Sequence, residues 1–421
     1  MAWKSKHSAP PGSRSATHLR PGATIGILGG GPLGRMLAME GARMGFRSVV
    51  LDDDPAAPAV AVSDGWIRGS LLDLDAAREL GRRVDVVTVD TDQVPAAVLA
   101  ELDRLVPVRP GAFLVETLQD RVRQRAFLAR AGLPAPRTRP VATLDELTAA
   151  ARELGGRTVL KTRRAGNDGR GQARLTEPGD AARAFAEIGG ARAILEEHVA
   201  FERELSVVVA RSESGADAVY PVAENRHVQH VLHEAIVPAE ISPRVAARAG
   251  EIAREAAAAL HAVGVITVEL FLRDDGELLV NEIAPRVHNS GHFSLGATAT
   301  SQFEQHLRAI TGLPLGDASQ LCPAVMVNLL GDLWATGEPP WDRVLSLPGI
   351  RLHLYGRSEP RPGLEMGHLL ATARDPAQAL ATAREAYGLL AAGTESRPSL
   401  VPRSAPRHSS TLLPAAARAA V

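Results

Sequence analysis

The sequence predicts an α/β and α+β fold: a small doubly wound parallel sheet first, then a larger mixed body, then a small C-terminal unit. Three observations carry this. Residues 23–54, "ATIGILGGGPLGRMLAMEGARMGFRSVVLDDD", read as apolar strand, glycine turn, helix and second strand. From Thr158 the pattern changes to strand, glycine loop, helix and strand, followed by longer alternating strands. The chain has 421 residues, too many for one ordinary domain and enough for two or three with separate cores.

Taken in order, residues 1–22 are polar, basic and Pro/Ser-rich without the apolar middle of a signal peptide, and a disordered leader is expected. In the βαβ unit, Leu33, Leu37 and Met44 fall on one helix side. "VDVVTVD" (84–90) as a strand and "VPAAVLAELDRL" (94–105) as a helix continue the alternation, so a parallel-sheet domain is expected over 23–115. Four glycines, Gly29, Gly30, Gly31 and Gly34, with Asp52 about twenty residues on, leave a dinucleotide site open as one reading. A helix is expected over 117–133, and the prolines of "PAPRTRPV" suggest a connector. After Thr158 come strands at "RAILEEHV", "ELSVVVARS" and "AVYPVAENRHV", and then a long alanine-rich helix. Two acid-bearing strands, "VITVELFLRD" and "GELLVNEIAPR", close a region taken as 116–315. A smaller unit, 316–395, holds the strand "PAVMVNLLG", and a loose tail is expected over 396–421.

Composition excludes several classes. Lys and Arg number 47 against 48 Asp and Glu, a formal net charge of -1, so no global basic field exists for nucleic acid. The single cysteine, Cys322, excludes an internal disulfide framework and a multi-cysteine zinc site, and fits a reducing, cytoplasmic setting. No apolar run is long enough to cross a bilayer.

The chemistry concentrates in three stretches. "KTRRAGNDGRGQ" (161–172) sends a lysine off a strand into a loop of Gly166, Gly169 and Gly171, which can aim an ammonium and backbone N–H groups at a polyphosphate. The lysine precedes the glycines, so this is not a Walker loop. Glu269 and Glu282 sit on runs that lie antiparallel if "RDDGE" is a turn; both then face one side and can chelate magnesium, with Asn281 next door. "VNEIAPRVHNSGH" adds Arg286, His288, Asn289 and His292 within twelve positions, a mixture that suits a metal and anion site. "ILEEHVAFERELSV" can serve as a hinge whose backbone meets an adenine edge while Glu204 reaches a ribose.

Together and in this order, "GGGPLGRM", "QDR", "LKTR" with "DGRGQ", "ILEEHV" with "FERELSV", "PVAENRH", "VNEIAPRVHNSGH", "TSQFEQHLRAI" and "PAVMVNLLG" resemble the ATP-grasp ligases. Within them the likeness is to the carboxyaminoimidazole ribonucleotide synthase family, over roughly residues 24–370. The resemblance implies an N-terminal pre-ATP-grasp sheet, a two-lobed ATP-grasp region, a small C-terminal domain and a homodimer. It implies ATP and Mg2+ as cofactors, and small-molecule substrates: ATP, bicarbonate and an amine acceptor. By the same likeness Arg121 and Lys161 meet the phosphates, and Gly166, Asn167, Asp168, Gly169, Arg170, Gly171 and Gln172 close over them. Glu196, Glu197, His198 and Val199 frame adenine, Glu204 holds ribose, and His227 lies at the nucleotide. Glu269 and Glu282, helped by Asn281, hold magnesium. Arg286, Asn289 and His292, with Lys161, surround bicarbonate and its acyl phosphate.

The acceptor half departs from the family pattern. Pro32 stands at a usual glutamine, Asn167 at a usual tyrosine, and Asp90 and Asp92 at longer acids. Leu364 and Glu365 stand where arginine and lysine are usual, while Arg357 and Arg361 remain nearby and Arg170 borders the loop. Losing two charge-assisted contacts to a phosphate costs about 3–6 kcal/mol. From these positions an acceptor other than the purine ribonucleotide is expected, with the ordinary purine step, or an inactive nucleotide-binding protein, as the alternatives.

Overall fold

Short apolar runs alternating with helices build a four-stranded parallel sheet in the order Gly65–Arg68, Arg47–Asp52, Thr24–Leu28, Val86–Val89. The computed structural model describes residues 18–164 and 171–392. The helix Pro32–Arg43 buries Leu33, Met36 and Leu37, with Pro32 in its first turn where no N–H is needed. The described end of the expected leader is tied down, since Leu19 N–H donates to Thr311 O at 2.9 Å. The rest of that leader and the expected tail, 396–421, lie outside the described residues.

The expected helix over 117–133 is two helices, Ala112–Leu118 and Arg121–Ala131. Asp120 interrupts them because its carboxylate caps the second, accepting from Val122 N–H at 3.1 Å and Arg123 N–H at 3.3 Å. The expected proline connector contains a strand, Thr138–Val141, on the edge of a small antiparallel sheet, where a proline without an N–H does no harm. That sheet runs Thr138–Val141, Ala193–Glu197, Thr158–Thr162, Gln172–Leu175, and the helices Leu144–Leu154 and Ala181–Glu187 close its core. It forms the small lobe.

The large lobe is a nine-stranded sheet. The single strand expected at "AVYPVAENRHV" is two, Asp217–Val219 and Ala223–Val228, parted around Pro221. A further strand, Val231–Val237, follows through a turn in which Gln229 and His230 take φ of 50° and 68°. Neither residue is the Gly or Asn that usually announces such a hairpin, so no sequence signal marks it. Val231–Val237 pairs with Ala324–Leu330, and through it the C-terminal strands Glu365–Thr372 and Ile350–Leu354 extend the same sheet.

Candidate active site

Between the lobes lies a cleft of ≈ 670 Å³ lined by Lys161 and Gln172 from the small lobe and Glu204, His227, Glu269 and Glu282 from the large one. Lys161 reaches it because the strand Thr158–Thr162 pairs with Gln172–Leu175, Lys161 opposite Gln172, while Thr162 N–H donates to Gly171 O at 2.8 Å. Gly166, Asn167, Asp168, Gly169 and Arg170 lie outside the described residues.

Lys161 Nζ sits 2.8 Å from Glu196 Oε2, and Arg125 Nε sits 2.7 Å from Glu196 Oε1. Burial would raise the Glu196 pKa, but the charges of Lys161 and Arg125 prevail and bring it to about 2. The side chain of Glu196 is therefore the anchor of Lys161, and Glu196 lines the cleft together with Glu197, His198 and Val199. Arg125 is the residue sequence reasoning missed, although it lies one helical turn beyond Arg121 on the same face. It also donates to Val280 O at 3.2 Å, which links the small lobe's anchor to the large lobe. Arg121 donates to Thr162 O at 3.1 Å and lies 3.9 Å from Glu282. The Glu197 carboxylate is likewise spent, 2.7 Å from Arg137 Nε. His198 and Val199 line the cleft, and Phe201 and Phe271 stack beside them at 4.7 Å between centroids, a planar apolar wall.

The acid hairpin forms, with a β-bulge between Glu269 and Leu270 that moves Glu269 from the Asn281 register to Glu282. Gly264–Leu272 and Leu278–Ala284 are antiparallel, with Glu269 directly opposite Glu282. Two facing carboxylates repel, and burial together with Glu282 raises the Glu269 pKa. Asn281 Nδ2 lies 3.5 Å from Glu269 Oε2, and His288 Nε2 lies 3.5 Å from Glu269 Oε1. Burial, with Arg286 and His227, depresses His288 to about 3, so its imidazole is neutral beside Glu269. No group of three or more acidic, His or Cys side chains among the described residues makes a self-sufficient metal cage. A pair of carboxylates beside a phosphate cleft is the donor set magnesium takes when phosphates complete its shell, so the residues fit that ion. On neighbouring strands of the same sheet Glu204 pairs with His227 Nδ1. Burial would lower the His227 pKa, but that bond holds it raised.

The acceptor side differs from expectation at several residues. Asp90 is buried, its carboxylate accepting from Gly31 N–H at 2.9 Å and Gly34 N–H at 2.6 Å. It holds the glycine turn instead of facing an acceptor, and burial raises its pKa to about 6. A Cβ on Gly31 would collide with that carboxylate. Gly30 N–H goes to Asp52 Oδ2 at 2.6 Å, so Asp52 and Asp90 occupy the donors a dinucleotide pyrophosphate would need. His292 is 0% exposed, stacked on His368 at 4.5 Å, and is a core residue in place of the expected catalytic one. Asn289 Nδ2 donates to Glu365 Oε1 at 2.7 Å, and Asn328 Nδ2 donates to the same oxygen at 2.8 Å. Arg361 is exposed and pairs with Glu359 at 2.7 Å. Leu364 is half-buried, and its backbone carbonyl accepts from Gly331 N–H at 2.8 Å. Asp92 lines a smaller pocket of ≈ 230 Å³ next to Arg121 and Glu282. Arg286 and Arg357 are half-buried, and neither guanidinium pairs with a carboxylate among the described residues.

Comparison with known proteins agrees with this layout. Family models match a ribonucleotide synthetase preATP-grasp domain at residues 22–119, an ATP-grasp domain at 126–303, and a phosphoribosylaminoimidazole carboxylase C-terminal domain at 324–382. The chain is 44% identical over 355 residues to an N5-carboxyaminoimidazole ribonucleotide synthase of Brucella melitensis, covering 84% of this chain and 97% of that one. It superposes with a TM-score of 0.84 and 41% identity on an ADP complex of an N5-carboxyaminoimidazole ribonucleotide synthetase, covering 88% of this chain and 97% of the other. An Aspergillus clavatus N5-carboxyaminoimidazole synthase in complex with ADP and aminoimidazole ribonucleotide gives 0.81 at 31% identity, covering 88% and 99%. No helix among the described residues is long and apolar enough to cross a membrane. With the cleft, the acid hairpin and all three segments matched in order, the chain belongs to the N5-carboxyaminoimidazole ribonucleotide synthase family of ATP-grasp ligases.

Proposed function

We propose that the chain uses ATP to activate bicarbonate and transfers the carboxyl group to the amine of aminoimidazole ribonucleotide. The observation that carries this is the convergence of Lys161, Arg121 and the facing pair Glu269 and Glu282 on one cleft. In that reading a bicarbonate oxygen attacks the γ-phosphorus, the bond to the β-phosphate oxygen breaks, and ADP leaves. The acceptor amine then attacks the carboxyl carbon, the carbon–oxygen bond to phosphate breaks, and the departing phosphate takes the amine proton. Lys161 and Arg121 stabilise charge on the transferred group, held in place by Glu196 and Thr162 O. Glu269 and Glu282 would hold magnesium, which when bound supplies further neutralisation of the phosphates. Glu204 and His227 face the ribose, Val199 the adenine edge, and Arg286 the carboxyl intermediate. By the family likeness Gly166 to Arg170 are assigned to closing over the phosphates, where water would destroy the intermediate.

A second reading, another amine as acceptor, draws on Leu364 and Glu365. Glu365 holds the Asn289 amide that would otherwise be free for bicarbonate, and it brings a negative charge to the acceptor side. One assay separates the two: ADP release and acid-labile fixation of labelled bicarbonate, with aminoimidazole ribonucleotide and a panel of other amines. Turnover of about 1–100 s⁻¹ with the ribonucleotide is the expected result. Bicarbonate-dependent ADP release that ignores the ribonucleotide and responds to another amine would replace the first reading by the second.

A further inference from the structure

Lys161 and the acid pair Glu269 and Glu282 come from different lobes, yet one buried side chain touches the supports of both. Arg125 is 8% exposed and lies in the helix Arg121–Ala131, whose Phe127 and Leu128 pack into the core of the large lobe. Its Nε meets Glu196 Oε1 at 2.7 Å, and the other oxygen of that carboxylate holds Lys161 at 2.8 Å. Its Nη1 donates to Val280 O at 3.2 Å. One carboxylate between two cations leaves the cluster one positive charge in excess. Neutralising Glu196 takes only one of them, so the second buried cation needs another physical reason.

Val280 supplies that reason. The strand Leu278–Ala284 is the edge of the nine-stranded sheet and has Gly264–Leu272 on one side only. Val280 pairs with Leu270, and the next pair is Glu282 with Glu269, so Asn281 is the extra residue of the bulge and Val280 the last in regular register before it. The N–H and C=O of Val280 face outward, away from its one partner strand. Val280 is 0% exposed, so both groups require protein partners. Its N–H donates to Pro134 O at 2.8 Å, and its carbonyl accepts from Arg125. Pro134 and Arg125 thus replace the missing neighbour strand at the residue where the register changes. If that edge slips, Glu269 returns to the register of Asn281 and the two carboxylates no longer face each other.

We propose that Arg125 is a positioning residue that holds Lys161 and the acid pair in one geometry, through Glu196 on one side and the Val280 carbonyl on the other. This rests on the ATP and magnesium reading of the cleft and is independent of which amine accepts the carboxyl group. A guanidinium suits the task because its planar fork donates in two fixed directions, whereas an ammonium is a single point of charge.

Two calorimetric titrations of the full chain test this: ADP in chelator, which reads the cations, and Mn2+ into ADP-saturated protein, which reads the glutamates. Arg125→Met should weaken both by about tenfold, the worth of one charge-assisted hydrogen bond. Arg125→Lys should restore ADP binding and leave Mn2+ binding weak, because one ammonium drawn to Glu196 cannot also hold Val280 O. In the metal-free, nucleotide-free protein, amide hydrogen exchange over residues 278–284 should quicken in both variants. An Arg125→Met protein that melts cooperatively with the parent's Kd for Mn2+ and the parent's exchange over 278–284 would overturn the link. So would an Arg125→Lys protein that restores both Kd values, since Arg125 would then be only a counter-charge for Glu196; this variant alone decides if Arg125→Met does not fold. A parent that binds neither ADP nor Mn2+ would remove the ATP reading of the cleft, and exchange over 278–284 would still decide the hold on Val280.

Discussion

Replacing Glu196 by glutamine removes the charge that two buried cations share. Glu196 is 3% exposed, and its two oxygens meet Lys161 at 2.8 Å and Arg125 at 2.7 Å. Its pKa falls from 4.5 to about 2 on folding. That difference corresponds to about 3 kcal/mol of stability at neutral pH. Because the folded value is the lower one, the contribution is complete above the unfolded pKa and fades as pH falls through 4.5 toward 2. Linkage gives about 3 kcal/mol at pH 7 and about 2 kcal/mol near pH 3.5. Urea unfolding of parent and Glu196→Gln across this range reads the gap directly. In the variant Lys161 also loses its anchor, and KM for ATP should rise by about tenfold as the ammonium samples other positions. A gap below about 1 kcal/mol, or one that stays constant with pH, would show that Glu196 does not carry the charge of this cluster.

Two further outcomes follow from buried charge and buried imidazole. Glu282→Gln removes one of two facing carboxylates, so the metal-free protein should gain about 1 kcal/mol while magnesium with ADP stabilises it far less than the parent; paired melts in chelator and in magnesium–ADP check both directions. His353, His368 and His292 stack at 4.5 Å spacings, with His368 Nδ1 bonded to Tyr355 Oη at 2.9 Å. Burial lowers the pKa of all three, most strongly at His292 and His368, so they are neutral when folded and charge on unfolding. Stability is therefore full above about pH 6.5 and falls as pH drops below it, and His368→Phe should reduce that slope by about 1 kcal/mol per pH unit in urea midpoints at pH 6.5 to 5.

Much of the site was legible because its logic is local. A lysine leaving a strand into glycines, and two acids on either side of "RDDGE", need little more than strand periodicity and a turn, although Glu269 comes to face Glu282 only through a β-bulge beside Leu270 that the sequence does not announce. The family likeness extended this along most of the chain. What the sequence could not decide was which polar atoms find each other across long separations. Asp90 looks like a substrate acid until the sheet sets it under Gly31 and Gly34, and His292 looks catalytic until its loop turns it onto His368. Arg125 reads as one more basic residue on a helix until the small lobe lays Glu196 against it. Residue type and spacing determined the backbone classes and the candidate chemistry, because these depend on neighbours within a few positions. Partnership of buried charges was left to the tertiary structure, since an unpaired charge away from water is resolved by whatever group the folded chain brings within hydrogen-bonding reach.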